Sequence, residues 1–282
     1  MPALESRAQL LHDVRAFFYE RGVLEVQTAT IGAATVTEPA VESILVDGFG
    51  YLQPSPEYQL KRLLAAGAPS LYQLGPVFRA GESGRHHNPE FVMLEWYRLG
   101  FSDVELMKEV AELVDRTLGP SEYRTLAYAD VVSLAADPLT APADISRREL
   151  LDLRYSAGIE ALGPGRFFIT DYPSDQAALA RLRDEDASLA ARFELVVDGL
   201  ELANGYHELG DADELRRRFQ RDLEVRRSAG QHQPAIDARF LAAMEAGLPD
   251  CAGVALGFDR LLMLKFGAKD LVDVMAFPAG RA

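Results

Sequence analysis

Cysteine is almost absent. Cys251 stands alone in 282 residues, which excludes an intrachain disulfide and fits a reducing cytoplasm. Long apolar runs are also missing. No stretch of about 18 apolar residues occurs, so no membrane-spanning helix is expected. The opening stretch, MPALESRAQLLHDVRAFF, mixes charges with apolar residues at helical spacing and lacks the unbroken apolar centre of a signal peptide. Basic residues are outnumbered, 29 Lys and Arg against 43 Asp and Glu, for a net charge of −14. That balance opposes stable nucleic-acid binding, which is driven by phosphate neutralisation, and suits a cationic small substrate or a basic protein surface. No internal repeat, low-complexity run or convincing linker breaks the chain. Its length is enough for one large core or two modest ones, and a single domain over residues 1–282 is the economical expectation.

What is present is an alternation of strands and helices. Helices are expected at Ser6 to Arg21, from Ser55-Pro56-Glu57 to Gly67, after the Ser102/Glu105 capping box, at Gln176 to Arg183, at Asp211 to Ser228, at Asp237 to Ala246 and at Asp259 to Phe266. Strands are expected at Val23 to Val26, Leu71 to Arg79, Pro89 to Arg98, Arg166 to Tyr172 and Cys251 to Leu256, with a small hairpin around Asp47-Gly48. Residues 119–165, which hold Pro120, Pro138, Pro142 and Pro164, are the least informative and suggest two short helices. Short turns between strands predict an α+β fold with a mostly antiparallel sheet of six to seven strands flanked by helices.

The densest signal is Phe193 to Glu208, FELVVDGLELANGYHE. Asp198-Gly199 between alternating apolar residues is a hairpin turn. With Val197 and Leu200 beside the turn, Val196 pairs with Glu201 and Leu195 with Leu202. Phe193, Leu195, Val197, Leu200 and Leu202 then share one face, and Glu194, Val196, Glu201 and Ala203 the other. Glu194 and Glu201 stand diagonally opposed, roughly 7 Å apart. Either this is a solvated polar face, or a cation such as Mg²⁺ lies between the two carboxylates. Glu208 follows where Gly205 lets the chain bend.

A second signal is Val77 to Tyr97, VFRAGESGRHHNPEFVMLEWY. Arg79 at a strand end, then a glycine-containing loop with Glu82, Arg85, His86 and His87, suits a polyphosphate, although a solvated basic loop has the same composition. The adjacent histidines point apart and are not a metal pair. The returning strand sets Phe91, Met93, Glu95 and Tyr97 on one face, a poor core but a good floor for an adenine ring and an amine. A third is GVALGFDRLLML, where Gly253 and Gly257 admit a ligand to the backbone and Arg260 opens a helix.

Together these stretches resemble the catalytic domain of the class II aminoacyl-tRNA synthetases. RGVLEVQT resembles the first motif of that family, FRAGESGRHHNPEF the second and GVALGFDR the third; HNPEFVMLEWY with ELANGYHEL is specific to its lysine branch, shared by lysyl-tRNA synthetases and the elongation factor P β-lysine ligases. The resemblance implies activation of an amino acid by ATP and Mg²⁺. It implies that Arg79 and Arg260 are the catalytic cations on the phosphates, and that Glu82, His87, Asn88, Phe91, Glu201, Leu202 and Gly257 complete the ATP site. Glu194 and Glu201 would hold Mg²⁺. Ser55, Pro56, Glu57, Glu95, Tyr97, Asn204, Tyr206, Glu208 and Ala255 would bind the amino acid. Gly81 stands where the second motif usually has glutamate, with Glu82 next to it. Ala255 and Ser55, and a chain that begins almost at the first motif with no room for an anticodon-binding domain, point to the β-lysine ligases. They imply β-lysine as substrate, elongation factor P as acceptor, and a cytoplasmic homodimer. The other readings are a free-standing lysine-activating enzyme with another acceptor, and a non-catalytic binding module. Amino-acid-dependent ATP–pyrophosphate exchange separates the enzyme readings from the binding module, and mass gain on elongation factor P, with tRNA as the competing acceptor, separates the two enzyme readings.

Overall fold

The computed structural model describes residues 2–135 and 147–282. In chain order the elements are α1 (Pro2–Glu20), β1 (Leu24–Glu25), β2 (Ile31–Gly32), β3 (Leu45–Val46), β4 (Gly50–Leu52), α2 (Glu57–Ala65), β5 (Leu71–Phe78), β6 (Glu90–Leu99), α3 (Asp103–Leu118), β7 (Tyr123–Ala127), α4 (Tyr128–Ser133), α5 (Arg147–Leu162), β8 (Arg166–Pro173), β9 (Leu189–Val197), β10 (Leu200–His207), α6 (Ala212–Ser228), α7 (Ala238–Ala246), β11 (Cys251–Gly257) and α8 (Phe258–Phe266). Among the described residues eight strands form one sheet in the order β1-β5-β6-β11-β10-β9-β8-β7, and β2, β4 and β3 form a small second one. The large sheet is antiparallel except at its edges, where β1–β5 and β7–β8 run parallel. The architecture is the expected α+β one, with more strands than six or seven because residues 123–127 add an edge.

One face of the sheet is closed by α1, α3 and α8. Leu10, Val14, Phe17 and Phe18 meet Leu106, Val110, Leu113 and Val114, then Phe258, Leu261 and Leu262, over Trp96, Phe193, Leu195, Val254 and Leu256. The helical spacing of these residues puts each set on one stripe, and their burial is the main force holding the layers together. Ser102 and Glu105 cap α3 reciprocally, as their spacing predicts. The opposite face has two separate covers. Tyr128, Val131 and Ile159 of α4 and α5 lie over Phe167, Ile169 and Val196. Tyr58 of α2 stacks on Phe240 of α7, with ring centroids 4.1 Å apart, beside Phe219 of α6. Between these covers β6, β11 and β10 are left as the floor of a cavity.

Several expectations change. Residues 176–183 are not a helix. After a single 3-10 turn at Ser174–Gln176 the chain is extended, with Ala180 bridging Glu208 and Leu182 bridging Ala190. Alanine and leucine favour a helix locally, but Ala178 sits at φ +46° and the segment's hydrogen bonds go to the ends of β9 and β10. The charged helix α6 is not wholly a solvated face. Arg226 is 2% exposed and donates to the carbonyls of Thr37, Glu38 and Val41, fastening the loop that forms one lip of the cavity. Buried Arg218 likewise reaches the carbonyls of Ala178 and Ala180. Residues 119–165 contain β7, α4 and the 16-residue α5 rather than two short helices; Pro138 and Pro142 lie outside the described residues.

Candidate active site

The floor of the cavity follows from strand register. On β11, Ala252, Val254 and Leu256 point into the core, so Gly253, Ala255 and Gly257 face the cavity. Gly253 lies between Tyr97 of β6 and Tyr206 of β10, and Ala255 between Glu95 and Asn204. A middle strand of glycine and alanine flanked by larger polar side chains makes a trough. The cavity above it has a volume of about 310 Å³, within the usual range for a small-molecule site. Gly253 is required by its neighbours as well as by any ligand, because a Cβ there would collide with the Tyr97 ring and Glu208 Oε1. Gly253→Ala is expected to raise the KM for amino acid at least tenfold while leaving the KM for ATP within about twofold, since overpacking displaces one end of the trough only; equal changes in both constants would contradict that division.

The Phe193–Glu208 hairpin forms, with a register change. Leu200 pairs with Val197 and Glu201 with Val196, but a bulge then makes Ala203, not Leu202, the partner of Leu195. Ala203 therefore joins the core instead of the carboxylate face, and Asn204 pairs with Glu194 on the face expected for Ala203. Strict alternation from Glu201 would have turned Asn204, Tyr206 and Glu208 away. The extra residue sets Glu201, Asn204, Tyr206 and Glu208 on the same side, and all four line the cavity. Gly205 is not a bend; it is paired within β10, and its missing Cβ leaves room for the Phe193 ring.

At one end of the trough lie cations. The Arg79 guanidinium carbon is 5.2 Å from the centroid of the Phe91 ring, and its Nε donates to the Pro54 carbonyl. Arg260 donates to the Glu201 carbonyl at 2.7 Å, and its Nη2 is 2.9 Å from His87 Nε2. Burial and the Arg260 charge lower the His87 pKa, so the neutral ring accepts that bond. Glu82 stands 3.7 Å from Arg79 and 3.8 Å from His87. Asn88, Leu202 and Gly257 complete this wall. The Asn88 side chain is already used, donating to the Glu90 carbonyl and accepting from Ala279 N–H.

Glu194 and Glu201 share a side but differ in access. Glu194 is 7% exposed and does not line the cavity. Its oxygens take bonds from Arg192 at 2.6 Å and from the Tyr155 hydroxyl at 2.8 Å. The Glu201 side chain is about half exposed at the cavity edge, yet enough protein surrounds it that desolvation, then the Glu194 charge, pushes its pKa up. A hard cation beside two carboxylates of this kind would relieve that repulsion. Mg²⁺ ordinarily takes one or two protein carboxylates plus phosphate oxygens; Glu201, at the cavity edge, is the carboxylate open to such an ion, with Glu194 behind it on Arg192 and Tyr155. Among the described residues no cluster of three or more His, Cys, Asp or Glu is placed to hold a metal by itself.

The other end is acidic and closed. Glu95 is 2% exposed and accepts hydrogen bonds from Tyr97 and Ser55, both at 2.8 Å. Burial, then the Glu57 charge, pushes its pKa up to about 8. Glu208 is also 2% exposed, its pKa pushed up to about 7 mainly by burial. Glu208 Oε2 lies 2.6 Å from the Lys61 ammonium, whereas Oε1 receives no hydrogen bond among the described residues, an arrangement that is costly unless a ligand completes it. Ser55 Oγ also accepts the Glu57 N–H at the start of α2. Pro56 holds the turn, at the N-cap rather than the first helical position, and does not line the cavity.

Sequence reading missed four groups. Lys61 is buried behind Glu57 and Glu208; the Glu57–Lys61 spacing of four on a helix was the available signal. Arg192 and Tyr155 hold Glu194. Asp259 accepts the Val92 N–H and pairs with Arg7, tying α1 and α8 to the strand that carries Phe91. Glu38 stands on the loop fastened by Arg226, at the mouth.

Residues 2–281 match the family described as tRNA synthetases class II (D, K and N). The chain is 44% identical over 99% of its length to a protein of Yersinia enterocolitica named elongation factor P–(R)-β-lysine ligase, covering 95% of that protein. Proteins of the same name from Enterobacter sp. and Proteus mirabilis are each 43% identical, over 100% and 99% of this chain and 96% and 95% of theirs. The chain belongs to the class II tRNA synthetases (D, K and N) and, within them, to the family of the elongation factor P–(R)-β-lysine ligases.

Proposed function

We propose that this protein is an ATP-dependent ligase that activates (R)-β-lysine as its adenylate and transfers it to the ε-amine of a lysine of elongation factor P. The observation that carries the reading is the trough itself. Its cationic end, Arg79 and Arg260 beside Phe91, suits a nucleoside triphosphate. Its closed acidic end, Glu57, Glu95 and Glu208, suits an amino acid with two ammonium groups. The names of the relatives supply the acceptor.

The chemistry needs no protein nucleophile. A substrate carboxylate oxygen attacks the α-phosphorus, forming the acyl–phosphate bond as the bond to pyrophosphate breaks. The neutral acceptor amine then attacks the acyl carbon, AMP leaves, and the amine loses a proton. Arg79 neutralises charge on the α-phosphate, and Arg260 covers the adenine opposite Phe91 and reaches the phosphates. His87, Asn88 and Glu82 shape the phosphate wall, and the Leu202 and Gly257 backbones border the nucleotide. Glu194 and Glu201 would hold Mg²⁺, whose contribution is charge neutralisation on the phosphates. Glu57 takes the ammonium nearer the carboxylate. Glu95, Tyr97 and Glu208 take the distal one, with Ser55, Pro56, Asn204, Tyr206 and Ala255 shaping the slot. An ammonium in so enclosed a place requires such partners.

The reading takes residues 1–282 as one catalytic domain acting in the cytoplasm without stable nucleic-acid binding. Among the described residues no helix is long and apolar enough to cross a membrane. Exposed Tyr19, Leu24 and Ile31, around the first family motif, support a homodimer. The test is ATP–pyrophosphate exchange with (R)-β-lysine, (S)-β-lysine and α-lysine, followed by mass spectrometry of elongation factor P. The expected result is exchange strongest with (R)-β-lysine and one β-lysyl group added to the acceptor. Preference for α-lysine would sink the substrate assignment, and no exchange with any of the three would sink the enzyme.

A further inference from the structure

Three carboxylates converge at the closed end of the trough, and a lysine stands behind two of them. Lys61 lies one helical turn after Glu57 on α2. Its Nζ is 2.5 Å from Glu57 Oε1 and 2.6 Å from Glu208 Oε2, and its side chain is 1% exposed. Glu57, Glu95 and Glu208 line the cavity, whereas Lys61 does not. Its ammonium is on the far side of the carboxylates, 5.9 Å from the centroid of the Tyr97 ring. A ligand therefore meets the carboxylates from the front while Lys61 holds them from behind.

The other titratable groups facing this cluster add no charge. Burial keeps the Tyr97 and Tyr206 phenols well above their ordinary range and pushes the Cys251 thiol up to about 12, so all are neutral. Arg181 reaches the Glu208 carbonyl but is paired with Asp250. Desolvation works against the Lys61 charge, but Glu208 and Glu57 outweigh it and its pKa is raised, so Lys61 stays an ammonium. The fully ionised slot thus holds three negative charges and one positive one.

We propose that Lys61 is a resident counter-ion that limits the fully ionised slot to two net negative charges, matched to an amino acid with two ammonium groups, and aims Glu57 and Glu208 across it. The inference rests on the amino-acid reading of this slot given above. Lys61 touches no substrate; it is a positioning residue that acts through the two carboxylates. Without it the slot would carry three uncompensated carboxylates, which would hold protons instead of a dication.

The test compares unaltered protein with Lys61→Met, a substitution of similar length without charge, by pyrophosphate exchange with (R)-β-lysine from pH 6 to 9.5. At pH 7 the variant is expected to lose at least tenfold in kcat/KM for amino acid, with the KM for ATP changed less than twofold. Its acidic limb should move up by about one pH unit or more, because the carboxylates now protonate more readily, so the loss shrinks towards pH 9. A loss equal at every pH marks a purely structural role and overturns the proposal, as does no loss. Should the variant fail to fold by circular dichroism, calorimetry on the unaltered protein decides. Binding of a non-hydrolysable β-lysyl-adenylate analogue at pH 8.5, in two buffers of different ionisation heat, should exchange less than half a proton. Release of a full proton overturns the proposal. Absence of exchange in the unaltered protein overturns the ligase reading, and this inference with it.

Discussion

Arg79→Ala is expected to slow pyrophosphate exchange by about 10³-fold, the size of effect seen when one preorganised donor to developing negative charge is removed from an enclosed site. The guanidinium is held twice, by the Pro54 carbonyl at Nε and by the Phe91 ring beneath it. These anchors leave its outer nitrogens towards the cavity. Among the described residues its one ion pair, with Glu82, spans 3.7 Å, a loose pairing that a phosphate can displace. Arg79→Lys restores the charge without the planar fork, so a small fraction of the loss should be recovered. β-Lysine binding to the nucleotide-free protein, followed by thermal shift, should be unchanged, because Glu95 and Glu208 lie at the other end. Retention of more than a tenth of the exchange rate in Arg79→Ala would remove Arg79 from the reaction.

What the sequence made legible and what it hid divide along a physical line. The layers were legible because periodicity reports burial: Leu10, Val14, Phe17 and Phe18 repeat at helical spacing, and Phe91, Met93, Glu95 and Tyr97 alternate. The Asp198-Gly199 turn was legible from its own chemistry, Asp198 sitting at φ +50° and Gly199 at +78°. The bulge after Glu201 was hidden, since a period of two carries no mark of where an extra residue enters. So the motif resemblance groups Asn204, Tyr206 and Glu208, which line one cavity, while strict alternation puts Ala203 on that face. Residues 176–183 hide their extended course because local propensity favours a helix, while Ala180 pairs with Glu208 at the far end of β10 and Leu182 with Ala190 of β9, pairings that no periodicity marks. The burial of Lys61 and Arg226 is hidden in the sequence for a related reason. A buried cation looks like a surface one until its carboxylate or carbonyl partners are known, and most of those lie on other elements.

Glu95→Gln should lower kcat/KM for amino acid by about 10²- to 10³-fold and, in the same protein, raise the stability of the ligand-free state at alkaline pH. The activity loss follows from leaving a buried ammonium without one charged partner, at a cost of roughly 3–5 kcal/mol. The stability gain follows from linkage. Glu95 has an ordinary value of 4.5 and, through burial and then the Glu57 charge, is pushed up to about 8 in the folded protein. Between these limits the folded chain holds a proton that the unfolded chain has released, so stability falls as pH rises through the window. At about 1.4 kcal/mol per pH unit the ceiling is near 5 kcal/mol, and screening by water in an open cavity reduces it to about 2–3 kcal/mol. Glutamine keeps both local bonds, its oxygen accepting from one hydroxyl of Tyr97 or Ser55 and its amide donating to the other. The variant should therefore match the unaltered protein in Tm near pH 5 and exceed it by about 5 °C near pH 9. A gain of the same size at both pH values would mean that packing, not ionisation, sets the difference. A loss at pH 9 would mean that the Glu95 charge stabilises the empty fold, and that the acidic slot is not held in readiness for an ammonium.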